Sequence, residues 1–213
     1  MMIKLTLFIS IIISSILFLS PDKAVKEIEP VVQDIIDELD PNTYKKFKVR
    51  VLREDYANRI AQYSAEDIYC LAANVYHEAR NDMIVGQFAV ADVVLNRVDD
   101  KRFPNTICEV VHEGPVVETW TTRKTKDPND AVFIPVRNKC QFSWYCDGMD
   151  DDIREEVAWR QAQAVAHMII GNQSMRGITE GSTHYHATYV NPWWAKSKYE
   201  IGRIGKHKFY RWL

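Results

Sequence analysis

The sequence has no excess of charge of either sign: 27 Lys and Arg stand against 29 Asp and Glu, a formal net charge of −2 with a pI near 6.3. Without a global basic field, and without an RNA-binding or helix-turn-helix signature, nucleic acid is excluded as the expected partner. There is no Cys-x-x-Cys pair and no His-Glu-x-x-His run, the spacings that would announce a zinc site. There are no internal repeats and no low-complexity tracts, which excludes solenoids, arrays and fibrous chains. No small-x-small cleavage site stands beside the apolar N-terminus.

What is present fits one globular domain with short appendages: 213 residues, 46% apolar and 26% charged. After Lys4, residues 5–19 (LTLFISIIISSILFL) form an uncharged run that ends at Ser20-Pro21-Asp22. Its length lies between a signal-peptide core and a membrane-spanning helix. Residues 1–20 are therefore read as a signal peptide or a membrane anchor, residues 3–19 being the part that inserts. This predicts an exported protein of the periplasm or cell envelope that touches the membrane through that segment. The four cysteines suit such a destination, because an even count in an oxidising compartment usually means disulfides. Three pairings are possible, and the positions favour Cys70–Cys108 and Cys140–Cys146.

Residues 21–63 carry Val25, Ile28, Val32, Ile35, Ile36 and Leu39 at helical spacing before Asp40-Pro41-Asn42 breaks the pattern. They are expected to form a helical stalk or linker, or an amphipathic helix packed on the domain. The main domain, residues 64–213, opens at Ser64, a good N-cap with Asp67 three residues on. Ile68, Leu71, Ala72, Val75 and Ala79 then define one apolar face, with Glu78 about 80° from its centre, on the shoulder of the buried stripe. A carboxyl there, in the last turn, is partly desolvated and feels the negative end of the helix dipole. Both raise its pKa towards the range of a general acid. The plainer reading is a surface carboxylate paired with Arg80.

Residues 83–98 (MIVGQFAVADVVLNRV) are apolar on nearly every side and predict the central core helix. Its polar interruptions, Gln87, Asp92, Asn96 and Arg97, are expected to hold neighbouring loops by hydrogen bonds. Residues 113–138 read as a long loop or small hairpin. In residues 139–148 (KCQFSWYCDG), Phe142, Trp144 and Tyr145 stand among Gln141, Ser143 and Asp147. Such a set binds sugar faces through rings and hydroxyl or acetamido groups through polar atoms, although aromatics near a disulfide also serve as core. The acidic stretch 147–152 is expected to lead into the N-terminus of a third helix over residues 152–171. Residues 184–189 alternate as a strand that pairs with residues 209–212. There Tyr185 and His186 are candidate substrate contacts. His184 and His186, with His77 and Glu78, would make a metallohydrolase site only against the placement of His77, roughly opposite the apolar face of its helix.

Four separated blocks stand in order: CLAANVYHEARNDMIVGQFAVADVVLNRV, FPNTICEVV, KCQFSWYCDG and THYHATYVNPWWAKSKYEIGRIGKHKFYRW. Over about residues 65–212 the chain resembles the catalytic domain of the SleB-like cell wall hydrolases, the group named for the spore cortex-lytic enzyme. The resemblance implies an α+β fold, a mixed domain like that of lysozyme and lytic transglycosylases, with a core helix pair and a small antiparallel sheet. It implies that Glu78, in Glu78-Ala79-Arg80, is the catalytic residue. The implied cut falls between N-acetylmuramic acid and N-acetylglucosamine of peptidoglycan glycan strands, with no metal and no cofactor. A lytic transglycosylase needs that one glutamate; hydrolysis would want a second carboxylate, for which Asp147 and Asp82 are the candidates. The alternatives are a zinc-dependent N-acetylmuramoyl-L-alanine amidase and a non-catalytic wall-binding module. Family members commonly follow Glu-Ala-Arg with Gly and an acid, whereas this chain has Asn81-Asp82, and the N-terminal peptidoglycan-binding repeat of the spore enzyme is absent. An anchor with a bare catalytic domain suits a signal-anchor phage endolysin or a Gram-negative envelope enzyme.

Overall fold

A computed structural model describes residues 53–125 and 128–212. The signal or anchor segment and residues 21–52 of the expected stalk lie outside them. Among the described residues, six α-helices and two small antiparallel sheets make an α+β domain. Helix α1 (Arg53–Ile60) belongs to the expected stalk and packs on the domain: Tyr56 Oη lies 3.2 Å from His167 Nδ1, and Arg59 Nη1 donates to the Gly171 carbonyl at 2.9 Å.

Helix α2 (Ala65–Ala79) begins where the cap predicts. The Asp67 N–H donates to Ser64 Oγ at 2.9 Å, and the Ser64 hydroxyl donates back to Asp67 Oδ2 at 2.8 Å. Asp67 Oδ1 accepts from the Cys108 N–H at 3.0 Å, so the cap also holds helix α4 (Ile107–Val111). The Cys70–Cys108 disulfide joins the same two helices, and Cys140–Cys146 closes the aromatic loop.

Helix α2 packs with helix α3 (Ile84–Val98) and helix α6 (Glu156–Gly171) around Leu71, Val75, Phe88, Val94, Val165 and Ile169, all fully buried. Each such side chain contributes roughly 1.5–3 kcal/mol by leaving water. Helix α6 starts at Glu156, later than expected, because the Arg154 and Glu155 N–H groups both donate to Tyr76 Oη, at 3.2 and 3.1 Å. The acidic stretch therefore forms local turns, Asp147 Oδ1 accepting from the Met149 N–H and Asp150 Oδ1 from the Asp152 N–H, and not a helix N-terminus.

Strands β1 (Val116–Glu118) and β2 (Phe133–Pro135) form the small hairpin, with helix α5 (Trp120–Thr125) between them. The larger sheet has β5 (His207–Arg211) between β3 (His184–Ala187) and β4 (Tyr199–Ile204), with Tyr185 opposite Phe209. Phe209, fully buried, packs on Ala89 and Val93 and sets this sheet on α3. The polar residues of α3 hold the loop before β3 as expected. Asp92 accepts from the N–H groups of Gly177 and Thr179, the Asn96 amide donates to the Ser182 carbonyl at 2.8 Å, and Arg97 Nε donates to the Thr183 carbonyl at 2.8 Å. Those bonds fix the entry of β3, and with it Tyr185.

Candidate active site

Glu78 ends its helix partly buried, on the wall of an open cleft of ≈ 240 Å³ that is also lined by His77, Asp82, Tyr189, Lys206 and His207. The Tyr185 hydroxyl, from β3, donates to Glu78 Oε2 at 3.2 Å. Burial pushes the Glu78 carboxyl above its usual range, while the hydrogen bond from Tyr185 and then the Arg97 charge pull it back. The Tyr185 phenol itself is driven well up by burial and by the neighbouring Glu78 charge, so it stays a donor. A carboxyl held between these influences can give a proton and take one back, the double duty of a general acid and base.

Arg80 does not pair with Glu78. Its Nε donates to Glu155 Oε1 at 3.0 Å instead. Residues two apart point to different sides of a helix, which removes the plainer reading of Glu78 as half of a local ion pair. Asn81 keeps a negative φ, so the turn after Glu78-Ala79-Arg80 needs no left-handed residue. Asp82 has a buried side chain with both oxygens engaged. Oδ1 accepts from the Met83 N–H at 2.8 Å, Oδ2 accepts from the Lys206 N–H at 2.8 Å, and His207 Nδ1 lies 3.3 Å from Oδ2. Gly86 is required beside it, since a Cβ there would come within 2.6 Å of the carboxylate.

The aromatic loop meets this site through the last turns of α2. Trp144 stacks on His77 with ring centres 4.4 Å apart, and its Nε1 donates to Asn74 Oδ1 at 3.0 Å, one turn above Glu78. Tyr145 stacks on His112 at 4.1 Å. Gln141 and Ser143 are exposed and Asp147 is half-buried, with one oxygen on the Met149 N–H. Phe142 is buried beneath the loop, 6.4 Å from the Tyr185 ring, where it supports the wall and is out of reach of a sugar. His186 is also turned away from the cleft. It is buried on the sheet face opposite Tyr185, with Nε2 2.9 Å from Tyr210 Oη and Nδ1 2.9 Å from the Ala187 carbonyl. His184 lies among Trp194 and Trp212. Among the described residues no group of three or more His, Cys, Asp or Glu could hold a metal ion.

Sequence reasoning did not single out Tyr189, which lines the cleft and is 88% exposed, nor Lys206, whose ammonium reaches the Asn81 carbonyl. An exposed tyrosine just past an apolar-alternating strand was the available signal for the first.

The family model described as Cell Wall Hydrolase matches residues 81–210, from the turn after Glu78 to β5. The chain belongs to the cell wall hydrolase family. The matched stretch starts three residues beyond Glu78, so it spans Asp82, Arg97, the aromatic loop and Tyr185 but not the glutamate itself. Among curated members related to this cell wall hydrolase, the spore cortex-lytic enzyme of Halalkalibacterium halodurans is 31% identical over 156 residues, 73% of this chain and 38% of that protein. The Bacillus cereus spore cortex-lytic enzyme is 49% identical over 51 residues, 24% of this chain and 20% of that protein. The aligned parts thus span well under half the length of these relatives. Among solved structures, the catalytic domain of the Bacillus anthracis germination-specific lytic transglycosylase SleB aligns with 26% identity and a TM-score of 0.45, covering 70% of this chain and 97% of that one.

Proposed function

We propose that this cell wall hydrolase cuts peptidoglycan glycan strands between N-acetylmuramic acid and N-acetylglucosamine as a lytic transglycosylase, with Glu78 as the one acid and base. The reading is carried by a partly buried carboxyl on an open cleft that takes a hydrogen bond from Tyr185, while the cleft's other carboxylate, Asp82, is spent on backbone N–H groups. Protonated Glu78 gives its proton to the glycosidic oxygen as the bond from the muramic anomeric carbon breaks, and the N-acetylglucosamine 4-hydroxyl departs. The Glu78 carboxylate then takes the proton of the muramic C6 hydroxyl as that oxygen closes on the anomeric carbon, so the product is a 1,6-anhydro sugar and no water is consumed. The Tyr185 hydrogen bond favours the carboxylate formed between the two steps.

Tyr189 offers an open ring beside Glu78 for a sugar face, and the loop of Gln141, Ser143, Trp144 and Tyr145, joined to the cleft through the stack of Trp144 on His77, would extend the contact along the glycan. The family membership and the similarity to enzymes described as spore cortex-lytic support the substrate class. The apolar residues 3–19 would export this activity or tether it to the membrane, as in a signal-anchor endolysin or an envelope enzyme. Quantitative release of the chain by a signal peptidase would exclude the tether.

The test is mass spectrometry of fragments released from purified peptidoglycan by the disulfide-intact protein. Ends in 1,6-anhydro-muramic acid are expected. Reducing ends one water heavier would replace transglycosylation by hydrolysis, and free stem peptides would replace both by an amidase. The Glu78→Gln protein is expected to fold with lysis reduced at least ~100-fold, the lower bound for loss of a general acid; full activity in that variant would end the assignment.

A further inference from the structure

Several charges surround Glu78, and all but one are already answered by partners of their own. On its own helix, Arg80 is held by Glu155, and His77 lies stacked under Trp144. Across the cleft, Asp82 is matched with the Lys206 N–H and His207, and the Lys206 ammonium reaches the Asn81 carbonyl. From β3 the Tyr185 hydroxyl is used on Glu78 itself. The exception is Arg97 of α3, which is 4% exposed and only partly answered.

The Arg97 guanidinium is held at three points. Its Nε donates to the Thr183 carbonyl at 2.8 Å, and its plane lies against two rings, 5.3 Å from the centre of Phe103 and 5.0 Å from that of Phe142. Its Nη1 is buried and has no hydrogen-bond partner. Glu113, just after α4, likewise buries Oε2 without a partner, while its carbonyl accepts from the Gln141 N–H at 2.9 Å. Arg97 feels both carboxylates, Glu113 and Glu78, along with the Tyr185 oxygen. Arg97 Nη1 and Glu113 Oε2 are thus buried polar atoms without partners, and the loop that bonds Glu113 through Gln141 also lays Phe142 on Arg97, which calls for a joint role.

We propose that Arg97 is a positioning residue for Glu78, and that Glu113 is the counter-charge that keeps the free Nη1 from closing onto the Glu78 carboxylate. Arg97 stands close enough to favour the carboxylate during the second half of the reaction. Glu113 holds it off far enough for Glu78 to be protonated at the start. The proposal deepens the acid and base reading of Glu78 and rests on it for its purpose, but its electrostatics are tested separately.

The experiment is a titration of the Glu78 carboxyl by NMR in the full chain labelled with [13C]glutamate, the Glu78 signal being the one lost in Glu78→Gln. In Glu113→Gln the counter-charge is gone and Nη1 is free to turn to Glu78, so the Glu78 midpoint moves down by about one pH unit, the low end for an opposite charge brought near. In the double variant Arg97→Met/Glu113→Gln, which leaves no orphan charge, it moves up from the wild-type value. The alkaline limb of the pH profile for lysis follows in each case. A Glu78 midpoint unmoved in the double variant overturns the proposal even if Glu113→Gln alone fails to fold, as does an upward shift in folded Glu113→Gln. Absence of lytic activity with both shifts present would fault the proposed reaction and leave this pairing standing.

Discussion

Glu78 and Tyr185 are 107 positions apart in sequence, yet one hydrogen bond between them sets the chemistry available to the cleft. Burial alone would leave Glu78 a good acid and a poor base, because it disfavours the charge that remains after the proton leaves. The Tyr185 hydroxyl works in the opposite sense. Tyr185→Phe removes a donor to the charged form, so the Glu78 pKa rises further and the alkaline limb of the pH profile for lysis moves to higher pH. The rate at the plateau falls roughly 10-fold, the equivalent of a charged-group hydrogen bond of about 1.5 kcal/mol. A profile that keeps its alkaline limb in a folded Tyr185→Phe protein would show that the hydroxyl has no say in Glu78's protonation. Helical spacing put Glu78 on the shoulder of the buried face, and it was legible there. Its partner was not, since local periodicity carries no information about which strand closes on a helix. For the same reason Arg80 invited a pairing with Glu78 that its position two residues on does not permit, and Glu155, 75 residues away, takes it.

At the scale of elements, the contacts that matter are close approaches made possible by small residues. Gly171 ends α6 against the Tyr56 ring, and a Cβ at that position would collide with it. Gly171→Ala therefore pushes α1 off α6, with loss of the Arg59 bond to the Gly171 carbonyl. Destabilisation of about 1–3 kcal/mol is expected from such overpacking, read as a lowered midpoint in urea unfolding with lysis retained at low temperature. An unchanged midpoint would mean that α1 contributes nothing to the domain. The helices themselves were readable because caps and apolar stripes are local: Ser64 begins α2 and Gly171 ends α6 as the pattern predicts. The start of α6 was not, because Tyr76 Oη reaches across from α2 and keeps residues 154 and 155 out of the helix. His186 was misplaced for a related reason. Strand alternation fixes that His186 and Tyr185 face opposite sides, but which side holds the cleft is decided by the packing of Phe209 on α3.

For the molecule as a whole, the two disulfides make separate contributions. Cys70–Cys108 spans 38 residues and binds α2 to α4 beneath the site, and the chain-entropy model gives it about 4 kcal/mol. Cys140–Cys146 closes only 6 residues and is expected to contribute about 2 kcal/mol, mostly by shaping the loop that carries Trp144. Replacing Cys70 and Cys108 together by Ser lowers the Tm by roughly 8–16 °C. The same change at Cys140 and Cys146 lowers it by less but weakens lysis more, because Trp144 and Tyr145 lose their setting. Equal effects of the two pairs on Tm, as calorimetry would report, would contradict this division. A further consequence follows from Asp82. Its carboxylate joins the start of α3 to the N–H of Lys206, 124 positions later, and so closes the floor of the cleft only when the β4–β5 turn has arrived. Tyr185 likewise waits for β5, which pairs with it through Phe209. A chain emerging N-terminus first thus carries its acid long before it has a place to use it. The lytic activity proposed for Glu78 would therefore be absent from the nascent chain and would appear only in the last step of folding.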